Sequence, residues 1–125
     1  MDCGDILGLA GEQDSLKGVF LIQTMDMLGY DVVNVGEREL NFGQRYLLDA
    51  FKTTKMDLVS ANLVFASSKK PFTKPFVVRK AGTVRVAFTG LIGKEMKIRE
   101  FPVVTPTSVS MRCRNSSVFS GCLVS

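Results

Sequence analysis

The clearest hydrophobic pattern in the chain predicts a helix over residues 14–28. Apolar residues recur there at the three- and four-residue spacing of a helix, at Leu16, Val19, Phe20 and Met27. Asp14 or Ser15 can cap the start of this helix. Gly29 can supply the left-handed residue that ends it. This is the best-supported helix of the sequence.

Strands and helices alternate around that helix. Residues 3–5 look like the tail of a buried strand, and residues 30–35 form a β-branched strand. Residues 44–53 predict a second helix, and residues 58–61 predict another strand. The apolar residues of the second helix share one face, namely Tyr46, Leu47, Ala50 and Phe51. The order strand, helix, strand, helix, strand predicts an α/β fold with neighbouring parallel strands.

The second half of the chain departs from this alternation. Residues 76–80 and 83–92 flank Ala81-Gly82 and predict an antiparallel hairpin, so that the sheet would be mixed. Residues 105–125 are rich in serine and threonine and contain no acid. We therefore expect one domain over residues 1–104 and an irregular tail over residues 105–125.

Polar side chains follow the predicted parallel strands. Asp5, the charged run at residues 37–41 and Asn62 each come at the carboxyl end of a strand. Ligands of open α/β sheets bind at that edge. A functional site is therefore predicted there.

Composition limits the chemistry of such a site. The chain has 125 residues, of which 46% are hydrophobic and 22% charged, as in an ordinary globular domain. It contains no histidine, and so lacks the usual general base near neutral pH and the commonest transition-metal ligand. Its three cysteines show no metal-site spacing, which leaves either a Cys113–Cys122 bridge or idle thiols.

Charge is divided unequally along the chain. Residues 1–50 carry nine acids against three bases, a net charge of −6, and residues 51–125 carry three acids against thirteen bases, a net charge of +10. A basic half can attract phosphate or nucleic acid. Its bases are scattered, however, and no aromatic residues alternate with them as a single-strand binder requires. A solvated surface is favoured, and nucleic acid is not expected as a partner.

Membrane insertion and export leave no mark on this sequence. No apolar run approaches the roughly 18 residues that a bilayer span requires, and the first residues lack the basic and then apolar pattern of a signal peptide. We therefore expect a soluble chain with no membrane span.

Several blocks in a fixed order carry a family resemblance. The segment DCGDIL at residues 2–7 resembles a strand-end Gly-Asp motif, and MLGYDVVNVG at residues 27–36 resembles the approach to a Gly-Asn-His-Glu motif. VSANL at residues 59–63, KPFVV at residues 74–78 and VRVAFTGLIG at residues 84–93 follow. This series resembles the amino-terminal catalytic domain of calcineurin-like metallophosphoesterases of the 5'-nucleotidase type. The resemblance implies a partial, mixed β-sheet sandwich flanked by helices.

The resemblance also implies a metal-dependent reaction on nucleotides or similar phosphate monoesters. In that family two divalent cations (Zn, Mn or Mg) polarise the phosphoryl oxygen and activate the attacking water. Asp5 stands at the position of the bridging carboxylate, although an aspartate there can also simply cap the loop after its strand. Glu37 stands at the position of a metal-binding asparagine, and its carboxylate can still bind a hard cation.

The catalytic positions of the family are substituted. GERELN at residues 36–41 stands where the family has Gly-Asn-His-Glu-Phe-Asp. Arg38 therefore replaces the catalytic histidine, and Asn41 replaces the aspartate that orients it. Arginine stays protonated and cannot shuttle a proton. Arg38 would either hold an anion or form a salt bridge with Glu37 or Glu39.

Further ligand positions of the family have no counterpart in the matched segment. Its opening Asp-x-His would precede Met1, and its later histidines would follow the region of resemblance, which ends near Gly93. We therefore expect a fragment or degenerate member of the family that is inactive as this isolated chain. The alternative is a non-catalytic module that binds an anion or a protein. Members of this branch are often periplasmic or extracellular.

Overall fold

A computed structural model describes residues 1–8, 12–93 and 104–106 of the chain. Helices and strands alternate in its first half, and strands dominate its second half. In chain order the elements are α1 (Glu12–Met27), β1 (Val32–Asn34), α2 (Glu37–Asn41), α3 (Gln44–Lys52), β2 (Asp57–Val59), β3 (Leu63–Phe65), β4 (Phe76–Ala81), β5 (Val84–Thr89) and β6 (Val104–Pro106).

The first sheet is parallel, as the alternating pattern predicted. β1 pairs with β2 in a register that places Val33 opposite Leu58. Asp2 continues this sheet on the other side of β1, through a parallel bridge to Val33. Its amide donates to the carbonyl oxygen of Val32 at 2.9 Å. The opening residues therefore do run beside β1 as a strand would.

The remaining strand pairs are antiparallel. β4 and β5 form the predicted hairpin, and Gly82 takes the left-handed conformation (φ 61°) in its turn. β3 pairs with β6, and an isolated parallel bridge joins Val59 of β2 to Lys74. Parallel and antiparallel pairs thus occur together in one chain, and the predicted mixed α/β class is confirmed.

Two short strands were not anticipated. The hydrophobic pattern predicted no strand at Leu63–Phe65, and Thr105 and Pro106 were assigned to the irregular tail, but these segments pair with each other as β3 and β6. An antiparallel pair of three residues a side has too little periodic pattern to be recognised locally. Residues 107–125, the rest of the predicted tail, lie outside the described residues.

Helix α1 ends as predicted but turns a different face inward. The amide of Gly29 donates to Asp26 and that of Tyr30 to Met25, which with the left-handed Gly29 forms a Schellman motif. The apolar spacing that predicted the helix does not mark its buried side, because Leu16, Phe20 and Met27 are exposed. Its core contacts come from Ile22 and Met25.

The main core lies between the helices and the parallel sheet. Helix α3 packs the predicted face against it, with Leu47, Ala50 and Phe51 buried and Tyr46 half-buried. Val33 and Val35 fill it from β1 and the residue that follows. A smaller cluster of Val32, Val59 and Val77, with Phe88 against it, joins β1 and β2 to the hairpin.

Two further features concern membrane spans and cysteines. None of the described helices is long and apolar enough to cross a bilayer. Cys3 is disulfide-bonded, so the expectation of an idle thiol is wrong at this position. Cys113 and Cys122 lie outside the described residues.

Candidate functional site

Two loops meet at the carboxyl edge of the parallel sheet. The first turns at Gly4 and Asp5, which both have positive φ (98° and 60°), and the second begins at Gly36. A Cβ atom on Gly4 would lie 2.8 Å from the carbonyl oxygen of Asn34 and 2.8 Å from the nitrogen of Gly36. Only glycine permits so close an approach. The main chains of the two loops are therefore in direct contact.

Asp5 has a positive φ of 60°. Aspartate enters this left-handed region more readily than most residues with a Cβ atom. Its side chain spans the gap between the two loops, because Oδ1 accepts a hydrogen bond from the amide of Arg38 at 3.0 Å. Asp5 therefore caps α2, an element distant in sequence, rather than only the loop that follows its own strand.

Glu39 lies beneath these loops and is completely buried. Its Oε2 accepts the amide of Asp5 at 2.7 Å and the amide of Gly36 at 2.8 Å. Its Oε1 accepts the amide of Leu7 at 3.1 Å. One carboxylate thus binds main-chain donors of both loops.

The sequence reasoning did not select Glu39 as a site residue. A signal for it was present, since Glu39 is the third residue of a helix whose N-cap is Gly36, the position from which a glutamate reaches back to the cap amide. Glu39 also retains the glutamate of the family motif. The bonds to Asp5 and Leu7 carry no such local signal, because they cross more than thirty residues of sequence.

Arg38 projects from α2 into solvent. Within residues 1–8 and 12–93 its guanidinium makes no ion pair. No salt bridge to Glu39 forms, because that carboxylate is completely buried against main-chain amides while the Arg38 side chain is exposed. The alternative of a salt bridge to Glu37 or Glu39 is therefore wrong in this structure. Asn41, at the other substituted position, is half-buried at the end of the same helix.

The donor set at this edge does not fit a dinuclear metal centre. Glu37 begins α2 and is half-buried, close in sequence to the amide that Asp5 binds. In the part of the chain that the structure describes, no group of three or more His, Cys, Asp or Glu side chains is placed so that it could hold a metal ion. Asp5 and Glu37 supply two carboxylates and no nitrogen ligand, which suits at most one hard cation.

Two asparagines fix the neighbouring loops. Asn34, in β1, donates through Nδ2 to the carbonyl oxygens of Cys3 (3.0 Å) and Leu91 (3.3 Å), so it joins the first loop to the segment after the hairpin. Asn62, expected among the site residues, instead binds the main chain of Ile92. Asn62 thus serves the fold at this edge.

Known proteins resemble the chain in both sequence and structure. No protein-family model matches it. A 2',3'-cyclic-nucleotide 2'-phosphodiesterase/3'-nucleotidase of Haemophilus influenzae is 33% identical over 63 residues, which are 50% of this chain and 10% of that protein. The chain therefore spans about a tenth of the length of that curated relative.

Solved structures share the fold over most of the chain. A calcineurin-like phosphoesterase of Bacillus subtilis superposes with a TM-score of 0.68 at 21% identity, covering 84% of this chain and 39% of that one. A 5'-nucleotidase precursor of Thermus thermophilus superposes with a TM-score of 0.67 at 25% identity, covering 86% of this chain and 22% of that one.

These likenesses show the fold. The arrangement of helices and strands in this chain is that of calcineurin-like phosphoesterases. The 5'-nucleotidase type, predicted from the ordered blocks, is confirmed as the branch that the chain resembles. The chain corresponds to a fraction of the nucleotide-hydrolysing proteins of that branch.

Proposed function

We propose that the chain is a degenerate part of a metal-dependent phosphoesterase that acts on nucleotides or similar phosphate monoesters, and that it does not catalyse hydrolysis by itself. The observation that carries this proposal is the structural position of Arg38. Its amide is bound to Asp5 near the start of α2. By the sequence resemblance, this position corresponds to the catalytic histidine of the family. A guanidinium stays protonated there and cannot serve as a general acid.

The same proposal assigns a reduced metal site. Asp5 and Glu37 are the two positions at which this chain would offer oxygen ligands to a divalent cation such as Mg, Mn or Zn. Two carboxylates leave most of the coordination sphere of such a cation to water or to other ligands, so binding by this chain alone should be weak. A division into one domain, which would extend through β6 (Val104–Pro106), and a tail over the remaining residues belongs to the same proposal.

Hydrolysis is the direct test. Purified chain with excess manganese or zinc is incubated with a panel of phosphate monoesters that includes nucleotides, beside an Asp5→Ala variant. The exposed carboxylate of Asp49, on α3, gives a control in Asp49→Asn. We expect all three proteins to release phosphate at the same background rate. Release by the wild type that exceeds that of Asp5→Ala, with Asp49→Asn unchanged, would show intrinsic catalysis and overturn the proposal.

Anion binding is a second candidate function, favoured by the state of Arg38. Its guanidinium is exposed and makes no ion pair in the described part of the chain. A free guanidinium can bind a phosphate group through two parallel hydrogen bonds. The chain would then be a non-catalytic module that holds a phosphate-bearing ligand beside Asp5.

Calorimetric titration with phosphate and with a nucleoside monophosphate tests this candidate. Arg38→Ala should weaken binding, and Arg38→Lys should restore only part of it because lysine lacks the two-pronged geometry. Arg45→Ala is the matched control, since Arg45 is an exposed arginine on α3 paired only weakly with Asp49 at 3.7 Å. Equal titrations for the wild type and Arg38→Ala would remove Arg38 from this role.

A further inference from the structure

Glu39 is a buried acid whose carboxyl oxygens accept hydrogen bonds from main-chain amides. Its side chain has no exposed surface, and no lysine or arginine of residues 1–8 and 12–93 forms an ion pair with it. A buried carboxylate without partners would cost several kcal/mol. Three amides at 2.7, 2.8 and 3.1 Å meet it instead. The fold therefore satisfies the polar atoms of this buried side chain with main-chain donors from two loops.

The three donors to Glu39 come from both loops. Asp5 and Leu7 belong to the first loop, and Gly36 belongs to the second. Leu7 is fully buried, so its end of the first loop is fixed by the core. The bond from Asp5 comes from the residue that is held in the left-handed conformation. Glu39 thus connects a fixed point of the core to the left-handed residue of the site.

We propose that Glu39 is a positioning residue, which holds Asp5 in its left-handed conformation and directs the Asp5 carboxylate at the start of α2. The contacts form a relay: Oε2 of Glu39 binds the amide of Asp5, and Oδ1 of Asp5 binds the amide of Arg38. Among the described residues, the hydrogen bonds of the Glu39 side chain all go to main-chain amides. The inference rests on the proposed function only for the role of Asp5 as a metal ligand.

Hydrogen exchange at the Arg38 amide distinguishes a positioning role of Glu39 from general support of the fold. That amide is bonded to Asp5 and not to Glu39. A residue that merely stabilises the fold would, when lost, accelerate hydrogen exchange in all elements together. A positioning residue would, when lost, release the amide of Arg38 while the amides of α3 stay protected.

The experiment is amide hydrogen exchange on the full chain in metal-free buffer, read residue by residue. It compares the wild type with Glu39→Ala, Asp5→Ala and the control Glu37→Gln, a neighbouring carboxylate of α2 for which no bond to the first loop occurs among the described residues. We expect exchange at Arg38 to rise by about tenfold or more in both Glu39→Ala and Asp5→Ala, as the loss of one charge-assisted hydrogen bond implies. Glu37→Gln should leave the amides of Asp5, Leu7 and Gly36 protected.

Two results would overturn the proposal. One is protection of the Arg38 amide that survives in Glu39→Ala although Asp5→Ala removes it. The other is an equal loss of protection at Arg38 and throughout α3. Glu39→Gln adds a graded case, because its amide can present only one acceptor oxygen to the three donors. This variant should expose at least one of the three donors. Its exchange rate at the Arg38 amide should lie between those of the wild type and Glu39→Ala.

If a variant fails to fold, the wild type alone still provides a test. The amides of Asp5, Leu7 and Gly36 should there exchange as slowly as those of α3, and exchange at unprotected rates would contradict the proposal. Titration of the wild type with Mn²⁺ separates this inference from the proposed function. Absence of Mn²⁺ binding would count against the metal positions, while the exchange pattern would still decide the role of Glu39.

Discussion

The side chain of Asn62 makes a two-point hydrogen bond with the main chain of Ile92. Nδ2 of Asn62 donates to the carbonyl oxygen of Ile92 at 2.7 Å, and Oδ1 accepts the amide of Ile92 at 2.9 Å. Both residues are buried. This pair joins the end of β2 to the segment that follows the hairpin, and so closes one side of the edge at which the two site loops meet.

Loss of this pair should destabilise the fold. Asn62→Ala would leave a buried amide and a buried carbonyl unpaired, which we expect to lower the free energy of unfolding by about 1 to 3 kcal/mol. Asn62→Asp should also destabilise, since a carboxylate cannot donate to the carbonyl oxygen. Urea unfolding measures both. Ser67→Ala, at an exposed turn, is the control. A value for Asn62→Ala equal to that of the control would contradict the assigned role.

Asp57 should make stability depend on pH. Burial acts to raise the pKa of Asp57, but the hydrogen bonds and positive charges of Lys74 and Arg79 outweigh it and hold the pKa below its usual value. Nζ of Lys74 lies 2.5 Å from Oδ1 of Asp57, and Arg79 binds the other oxygen. A carboxyl group whose pKa is depressed by folding stabilises the fold above its unfolded pKa, about 3.9, and this contribution disappears as the pH falls through the lower folded pKa.

The test compares the wild type with Asp57→Asn at several pH values. At pH 7 the wild type should be the more stable, by about 1 kcal/mol for a partly exposed cluster. The difference should shrink as the pH falls below about 4. Arg79→Met removes one partner of Asp57. In that background, the stability difference caused by Asp57→Asn should depend less on pH. A difference that stays constant down to the lowest pH measured would show that Asp57 does not contribute through its charge.

Gly36→Ala should disturb the site without straining the backbone. Gly36 has an extended conformation (φ −102°) that any residue adopts. A Cβ atom there would nevertheless lie within 3.0 Å of the amide nitrogen of Asp5 and of the carboxylate of Glu39. We expect a loss of about 1 to 3 kcal/mol from this overlap, measured by urea unfolding. Gly8→Ala is the matched control because nothing lies within 4 Å of its added Cβ. Equal stability of the two variants would mean that the loops are farther apart than described.

The buried face of α1 can be tested with a pair of substitutions. Ile22 has no exposed surface, and Ile22→Ala should lower the free energy of unfolding by about 2 to 4 kcal/mol. Phe20 is 72% exposed, and Phe20→Ala should change it by less than about 0.5 kcal/mol. Thermal or urea unfolding of the two variants distinguishes the faces. A larger loss of stability for Phe20→Ala than for Ile22→Ala would indicate that the face of α1 marked by the apolar spacing is the buried one.

Much of the local structure follows from the sequence. Gly29 marked the end of α1 because a left-handed residue there needs no Cβ, and Ala81-Gly82 marked the hairpin turn for the same reason. The face of α3 was also foreseen, since its apolar residues at Leu47, Ala50 and Phe51 agree with one helical stripe. These features depend on residues within a few positions of each other.

The face of α1 could not be derived in this way. Apolar residues surround that helix, so the spacing of Leu16 and Phe20 was as consistent with a buried face as that of Ile22 and Met25. The elements that pack against the helix decided between them. The short pair β3–β6 is a similar case, because it forms between residues about forty positions apart.

At the site, the sequence by itself determined which chemistry is present. It placed Asp5 and Glu37 as the acids of the expected metal positions, put Arg38 and Asn41 at the catalytic positions, and supplied no histidine. Tertiary structure alone decided what Glu39 and Arg38 are free to do. The three amides that bind Glu39 come from loops separated in sequence, and the fold buries that carboxylate while it leaves Arg38 exposed. Residue identity fixes which bonds a side chain can make, but only the folded chain fixes which donors reach it.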